Sequence, residues 1–384
     1  MVTTLAAFVV SLGAAVLLVR AAHQGRTRLL DERSAGPQKF HAREAPRVGG
    51  LAIALGLMTA LTILAFRPGN TEVARWGFLL ALAGLPVFAT GLAEDITKRV
   101  RPRWRLLAAF VSAFAAMGLA DLVMVAPGLW GVEWLLSFPV VAVLLTAGVV
   151  ASLSHSVNLI DGFNGLASMC VVLMITALGV VAYDVGDFVV AQLALVTVGA
   201  VLGFFVLNYP AGLIFLGDGG AYFLGFWYAQ LSLLLLARNP GEISPLFPVL
   251  VCVYPAFETI FSVYRRRLRG HASSEADGIH LHSLIYRRFL RWVVGDRDAR
   301  ALTRSNSMTA PYLWLLCMSA VVPAVLLYEY TWAMLAFIAL FILSYVVLYW
   351  RIVRFRAPGW IRVTSGVLAS RSFRDLEVGN QKGR

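Results

Sequence analysis

The chain alternates long apolar runs with short polar breaks. Runs at 2 to 19, 48 to 66, 74 to 92, 106 to 126, 134 to 152, 167 to 183, 188 to 207, 219 to 237, 245 to 264, 311 to 328 and 331 to 350 each fit the span of about 17 to 25 residues that a helix needs to cross a bilayer. The pattern predicts an all-α polytopic membrane protein of about eleven transmembrane helices. Its runs are continuously apolar, where the strands of a membrane barrel alternate over about ten residues, so a barrel is excluded. No basic segment precedes the first run and no clear small-residue cleavage site follows it, so that run is expected to be a retained helix. No repeat and no Pro- or Ser-rich linker divides the chain. The expectation is one transmembrane domain over 1–350 with a basic tail over 351–384.

Composition agrees: 59% of residues are hydrophobic and 14% charged, against about 45–50% and about 25% in soluble domains. Cys170, Cys252 and Cys317 all fall in apolar runs without metal-ligand spacing, which reads as packing. Charge supplies an orientation. If Met1 starts outside and every run crosses, thirty of the thirty-three Lys and Arg lie inside, leaving Arg67, Arg75 and Arg238 outside. That bias predicts the N-terminus out and the C-terminus in. The net charge of +12 is then explained by topology and by contact with anionic membrane lipids. No nucleic-acid-binding module accompanies it. Basic and apolar residues interleave around Ile285 to Val293, as in an amphipathic surface helix.

Two inside connectors, 153 to 166 and 208 to 218, carry no Lys or Arg. They hold NLIDGFNG, from Asn158 to Gly165, and the start of FLGDGG, from Phe215 to Gly220. Asp, Asn and Gly favour tight turns. The same residues offer side-chain oxygens and bare backbone amides to a phosphate or a metal. Asn158, Asp161, Asn164 and Asn208 are therefore candidate ligand contacts. Asp218 between glycines is a candidate oxygen ligand for Mg²⁺, which takes one or two carboxylates with substrate phosphate oxygens.

Three further segments carry candidate chemistry. KFHAREAPRVGG brings Lys39 and His41, with Arg43 and Arg47, to a loop that either attracts phosphate or anchors the helix ends, while Gly49 and Gly50 let the backbone approach a ligand. Glu94 and Asp95 sit at the inner end of an apolar run, where a helix C-terminus disfavours negative charge. Surface pairing with Lys98, Arg99, Arg101, Arg103 or Arg105 would compensate, and so would a metal-bound polyphosphate or a proton to be removed. His280 and His282, two apart and followed by Arg287 and Arg288, suit a diphosphate better than zinc, since no third zinc ligand stands near.

In this order the five segments resemble the polyprenyl-phosphate N-acetylhexosamine-1-phosphate transferases, the superfamily that includes the lipid I-forming translocase and the initiators of O-antigen and teichoic acid synthesis. The resemblance covers most of 1–350. It implies transfer of a sugar 1-phosphate from a UDP-N-acetylhexosamine to undecaprenyl phosphate, with release of UMP. It further implies a need for Mg²⁺, with Mn²⁺ as a substitute, an active site on the cytoplasmic side of the bacterial inner membrane, and a homodimer. On this reading Asp218 and Asn158 hold the metal, Asp95 takes a proton from the lipid phosphate or orients it, and Glu94 and Asp161 share the catalytic cluster. Lys39, His41, Asn164, Asn208, His280 and His282 then contact substrate. Three departures stand out: Glu94 and Asn164 where the family commonly has Asp, and Ser283 where it often has His. A secondary transporter with polar sites in broken helices is the rival class, although transporters collect those sites near the bilayer midplane.

Overall fold

A computed structural model describes residues 1–24, 45–124, 130–268, 280–287 and 299–354. Lys39 and His41, most of the basic segment after Ile285, and nearly all of the C-terminal tail lie outside the described residues. Fifteen helices are described: α1 (Val2–His23), α2 (Gly49–Ala65), α3 (Thr71–Ala83), α4 (Leu85–Thr97), α5 (Pro102–Ala120), α6 (Trp130–Leu136), α7 (Pro139–Ile160), α8 (Leu166–Asp184), α9 (Phe188–Asn208), α10 (Gly217–Arg238), α11 (Phe247–Val251), α12 (Val253–Leu268), α13 (Leu281–Ile285), α14 (Ala299–Leu326) and α15 (Thr331–Val353). No strand occurs among the described residues.

Eight helices are long and apolar enough to cross a membrane, or nine if α3 and α4 form one bent span. The chain is a multi-pass membrane protein. Three of the eleven apolar runs are not among those eight helices. The run at 74 to 92 bends by 51° between α3 and α4, where Pro86 supplies no backbone N–H and its ring obstructs a continuous helix. The Val87 N–H beside it is satisfied by the Ser112 hydroxyl of α5 at 3.1 Å, as a buried backbone donor must be. The run at 48 to 66 gives α2, only 17 residues long. The run at 245 to 264 breaks at Cys252 into the short α11 and the longer α12, whose sequence takes up Glu258 and Arg265 to Arg267.

The centre of the bundle is α10, whose side chains are buried from Gly217 to Leu236. It packs against α2, α4, α7 and α8. Around it α1 lies close to α9 and α2, with small residues at the contact. A Cβ on Gly199 would stand 2.5 Å from the Thr4 carbonyl oxygen, and one on Gly56 2.5 Å from that of Ala7. Close approach through small residues is how helices gain contact where lipid is as apolar as the partner helix. At the far end of α10, Asp187 caps α9 through the Val189 and Val190 amides and accepts from Arg238 at 2.9 Å and Asn239 at 3.1 Å. That end is a closed structural clamp. The polar groups of the opposite end are arranged differently.

Candidate active site

The N-terminus of α10 meets the C-terminal turns of α4 and α7 and the first turn of α5 at one end of the bundle. Asp95 stands in the last turn of α4, where its own helix gives it no favourable partner. Its carboxylate instead crosses to α10: Oδ1 accepts the Asp218 N–H at 2.8 Å and Oδ2 the Gly219 N–H at 2.9 Å. The first backbone donors of a helix have no partner within it, and Asp95 supplies one from another helix. Gly217 makes room for this, with φ +79° and a would-be Cβ only 2.6 Å from Asp95 Oδ2. The adjacent acid faces elsewhere. Glu94 accepts the Val100 N–H at 2.7 Å and steadies the turn after α4, whose cap Lys98 is left-handed at φ 55°.

Packing fixes the height at which these helix ends meet. A Cβ on Gly91 would lie 2.6 Å from the Gly219 Cα, and one on Gly50 would strike the Gly220 backbone. The segment before α2 pairs with the segment before α10 like two short strands. Gly49 donates to Phe215 O and Gly50 to Leu216 O, both at 2.9 Å, and Phe215 donates back to Pro46 O at 2.9 Å. Gly49 and Gly50, read from sequence as a place for ligand approach, serve the contact between α2 and α10.

Asp218, thus presented, is ringed by donors. Asn158, near the end of α7, donates to Oδ1 at 3.0 Å. Arg47 lies 3.8 Å from the same oxygen, and Arg105, from the first turn of α5, pairs with Oδ2. The Arg105 guanidinium lies over Tyr222 at 5.9 Å, and the His155 ring packs against the same Tyr222, centroids 4.8 Å apart. Arg105 Nε is buried with no hydrogen-bond partner, a donor suited to an anionic oxygen. Asp161 caps α7. It is half-buried as a residue, but its carboxyl is enclosed. Burial pushes that carboxyl up to about 7; Arg47 opposes the shift, and the negative charges of Asp218 and Asp95 add to it. Among the described residues no group of three His, Cys, Asp or Glu side chains could hold a metal ion. A cation here would have to share its ligands with a substrate.

The remaining sequence candidates build the walls. Asn164 is buried: its N–H donates to Asn306 Oδ1 at 2.9 Å and its side-chain amide to Pro210 O and to Ser307, each at 3.2 Å. Asn208 accepts the Gly165 N–H at 2.7 Å and donates to Ile214 O at 2.8 Å, tying the loop after α7 to the segment before α10. Trp314 of α14 adds a bond to Gly165 O at 3.1 Å. His280 and His282 are buried and stacked, with ring centroids 5.1 Å apart and planes inclined by 14°. A Cβ on Gly162 would lie 3.3 Å from His282 Nε2, so the His segment rests against the loop that carries Asp161. Sequence reasoning missed Glu258, fully buried and bonded to His280 at 3.1 Å. The signal was there in principle: a lone carboxylate inside an apolar run is expensive and so points to function.

A family profile described as glycosyl transferase family 4 matches residues 77–236, a stretch that includes Glu94, Asp95, Asn158, Asp161 and Asp218. A protein of Bacillus subtilis (strain 168) named as a probable undecaprenyl-phosphate N-acetylglucosaminyl 1-phosphate transferase is 27% identical over 289 residues, covering 73% of this chain and 77% of its own. A decaprenyl-phosphate N-acetylglucosaminephosphotransferase of Mycolicibacterium smegmatis is 29% identical over 278 residues, 63% of this chain and 65% of its own. A phospho-N-acetylmuramoyl-pentapeptide-transferase of Streptococcus equi subsp. equi is 31% identical over 211 residues, 51% of this chain and 62% of its own. Residues 77–236 thus match glycosyl transferase family 4, and the chain is similar over most of its length to polyprenyl-phosphate N-acetylglucosamine-1-phosphate transferases.

Proposed function

We propose that this protein transfers an N-acetylhexosamine 1-phosphate from a UDP-sugar to undecaprenyl phosphate and releases UMP. The observation that carries the reading is the cluster at one end of the bundle, where Asp218 and Asp161 share a small space with Arg47, Arg105 and Asn158. Phosphoryl transfer asks a protein chiefly for positioning and for neutralisation of charge. Both components are supplied by these groups, and the relatives' names point to the same reaction class.

Mg²⁺ fits the donor set, which is all oxygen: two carboxylates that repel one another and one carboxamide, with phosphate oxygens to complete the shell. Asp218, Asp161 and Asn158 would hold it, and Mn²⁺ is the natural substitute. When bound, the ion draws charge from the diphosphate. Arg105 and Arg47 bind the anionic oxygens of donor and acceptor. Asp95 keeps Asp218 at the correct height through the two α10 amides and acts as a positioning group, since both its oxygens are occupied. His280 and His282 reach the diphosphate beside Gly162, and Lys39 and His41 contact substrate. In the cell the proposal sets eleven crossings with the N-terminus out, the cluster facing the cytoplasm of a bacterial inner membrane, and a homodimer.

A transporter is disfavoured by the position of the polar groups, which stand at helix ends: the last turn of α4, the cap of α7 and the first turn of α10. The test uses purified protein with Mg²⁺, undecaprenyl phosphate and a panel of UDP-N-acetylhexosamines. UMP release that requires the lipid phosphate is the expected result. Uptake of substrate into proteoliposomes without UMP would point to transport instead.

A further inference from the structure

Glu258 is the most enclosed acidic side chain of the described chain, at 0% exposure, and it lies outside the Asp218 cluster. A buried carboxylate is tolerated only when its oxygens are bonded. Here they are. Oε2 accepts from the Tyr345 hydroxyl of α15 at 2.5 Å. Oε1 accepts the Leu281 N–H at 3.2 Å and faces His280 Nδ1 at 3.1 Å. Ser262, one turn further along α12, stands 2.9 Å from the same nitrogen. An ionised carboxylate only accepts, so the proton between Glu258 and His280 sits on Nδ1. That fixes the tautomer and the ring plane of His280. Its ring stacks on His282, which packs edge-on against Phe163 at 5.4 Å and lies against Gly162, next to Asp161.

We infer that Glu258 is a positioning residue for the transfer reaction: held by Tyr345 and the Leu281 amide, it sets the His280 imidazole and, through the stacked rings, the seat of His282 on the loop that carries Asp161. The inference rests on the proposed role of the two histidines at the diphosphate. Carboxylate–histidine pairs of this kind orient working imidazoles at metal sites, and removing the carboxylate there lowers affinity or activity about 10- to 100-fold. Glu258 is placed to do the same for a phosphate-contacting pair. Its substitution by Gln is informative, because the amide oxygen keeps both Oε1 bonds and the amide N–H₂ turns to the Tyr345 oxygen.

The experiment compares Glu258→Ala, Glu258→Gln, Tyr345→Phe and His280→Ala with the parent enzyme in the UMP-release assay. Rates are normalised to protein that elutes as a single folded species in detergent. In Glu258→Ala, kcat is expected to fall about 10- to 100-fold with KM for the UDP-sugar within about threefold. Glu258→Gln recovers most of the loss. Tyr345→Phe, which leaves His280 bonded, shows a smaller drop of the same kind. ¹⁵N spectra of the parent and Glu258→Gln report a protonated His280 Nδ1, and that signature is lost in Glu258→Ala. Full turnover in His280→Ala overturns the role of the histidines and this inference with it. Lost turnover in His280→Ala beside unchanged kcat in Glu258→Ala overturns the inference alone, and so does a Gln variant that folds but is as slow as Ala. Should Glu258→Ala fail to fold, the Gln and Phe variants still decide, because a kcat unchanged in Phe and abolished in folded Gln contradicts hydrogen-bonded positioning.

Discussion

Asp95 and Asp218 are joined through the backbone: the carboxylate of Asp95 accepts the Asp218 N–H at 2.8 Å and the next amide, of Gly219, at 2.9 Å. Two acids 123 positions apart are thereby brought together through the backbone of α10. The first orients the helix that bears the second. If this is the function of Asp95, Asp95→Asn keeps one acceptor and loses the other, leaving a buried N–H unpaired at a cost of about 1–3 kcal/mol. Turnover falls, but the pH dependence of what remains keeps the shape of the parent profile. Loss of the acidic limb of that profile in Asp95→Asn would mark Asp95 as a general base instead.

Asp161 supplies a prediction on pH. Its folded carboxyl titrates near 7, above the 3.8 of an ordinary Asp. Between those values the folded protein holds a proton that the unfolded chain has lost, and the cost of ionising Asp161 weighs fully on the fold above pH 7. A divalent cation bound there has to displace this proton. Apparent Mg²⁺ affinity is therefore expected to rise about tenfold per pH unit below 7 and to level off above it, as one-proton linkage requires. Titration calorimetry from pH 5.5 to 8.5 measures the slope. It should disappear in Asp161→Asn, and an unchanged slope in that variant would assign the proton to another group.

Gly91 supplies a prediction on packing. Its would-be Cβ falls 2.6 Å from the Gly219 Cα, a backbone atom that cannot rotate away. Gly91→Ala is expected to push α4 and α10 apart, to cost at least about 1–3 kcal/mol by overpacking, and to lower turnover with it. Gly148 lies in helix α7 with nothing within 4 Å of a Cβ, and Gly148→Ala should match the parent in thermal unfolding and in rate. Equal behaviour of the two variants would mean that the helix ends tolerate displacement.

Much of this was legible in the sequence, and the limits have physical reasons. Asn158, Asp161 and Asp218 stood out because a polar residue between spanning runs is costly and so conspicuous. Asn164 and Asn208 stood out by the same signal, which cannot separate a ligand contact from a bond to Pro210 O or Ile214 O. Arg105 was one of five cations after α4, and only folding selects it as the partner of Asp218. Glu258 was hidden inside a run read as a span, and its bond to His280, 22 positions away, appears only in the fold. Only eight of the eleven runs are single helices of spanning length, because hydropathy does not register the bend at Pro86, the shortness of α2 or the break at Cys252.

The central claim is that Asp218, presented by Asp95 and flanked by Arg105 and Asn158, is where cation and diphosphate meet. The most direct test is UMP release by Asp218→Asn across a range of Mg²⁺ concentrations, with undecaprenyl phosphate and the preferred UDP-sugar held at saturation. The account predicts that turnover falls by about two orders of magnitude or more, as when one preorganised charge-stabilising group is removed, and that added Mg²⁺ does not restore it. Full Mg²⁺-dependent turnover in Asp218→Asn would contradict the account.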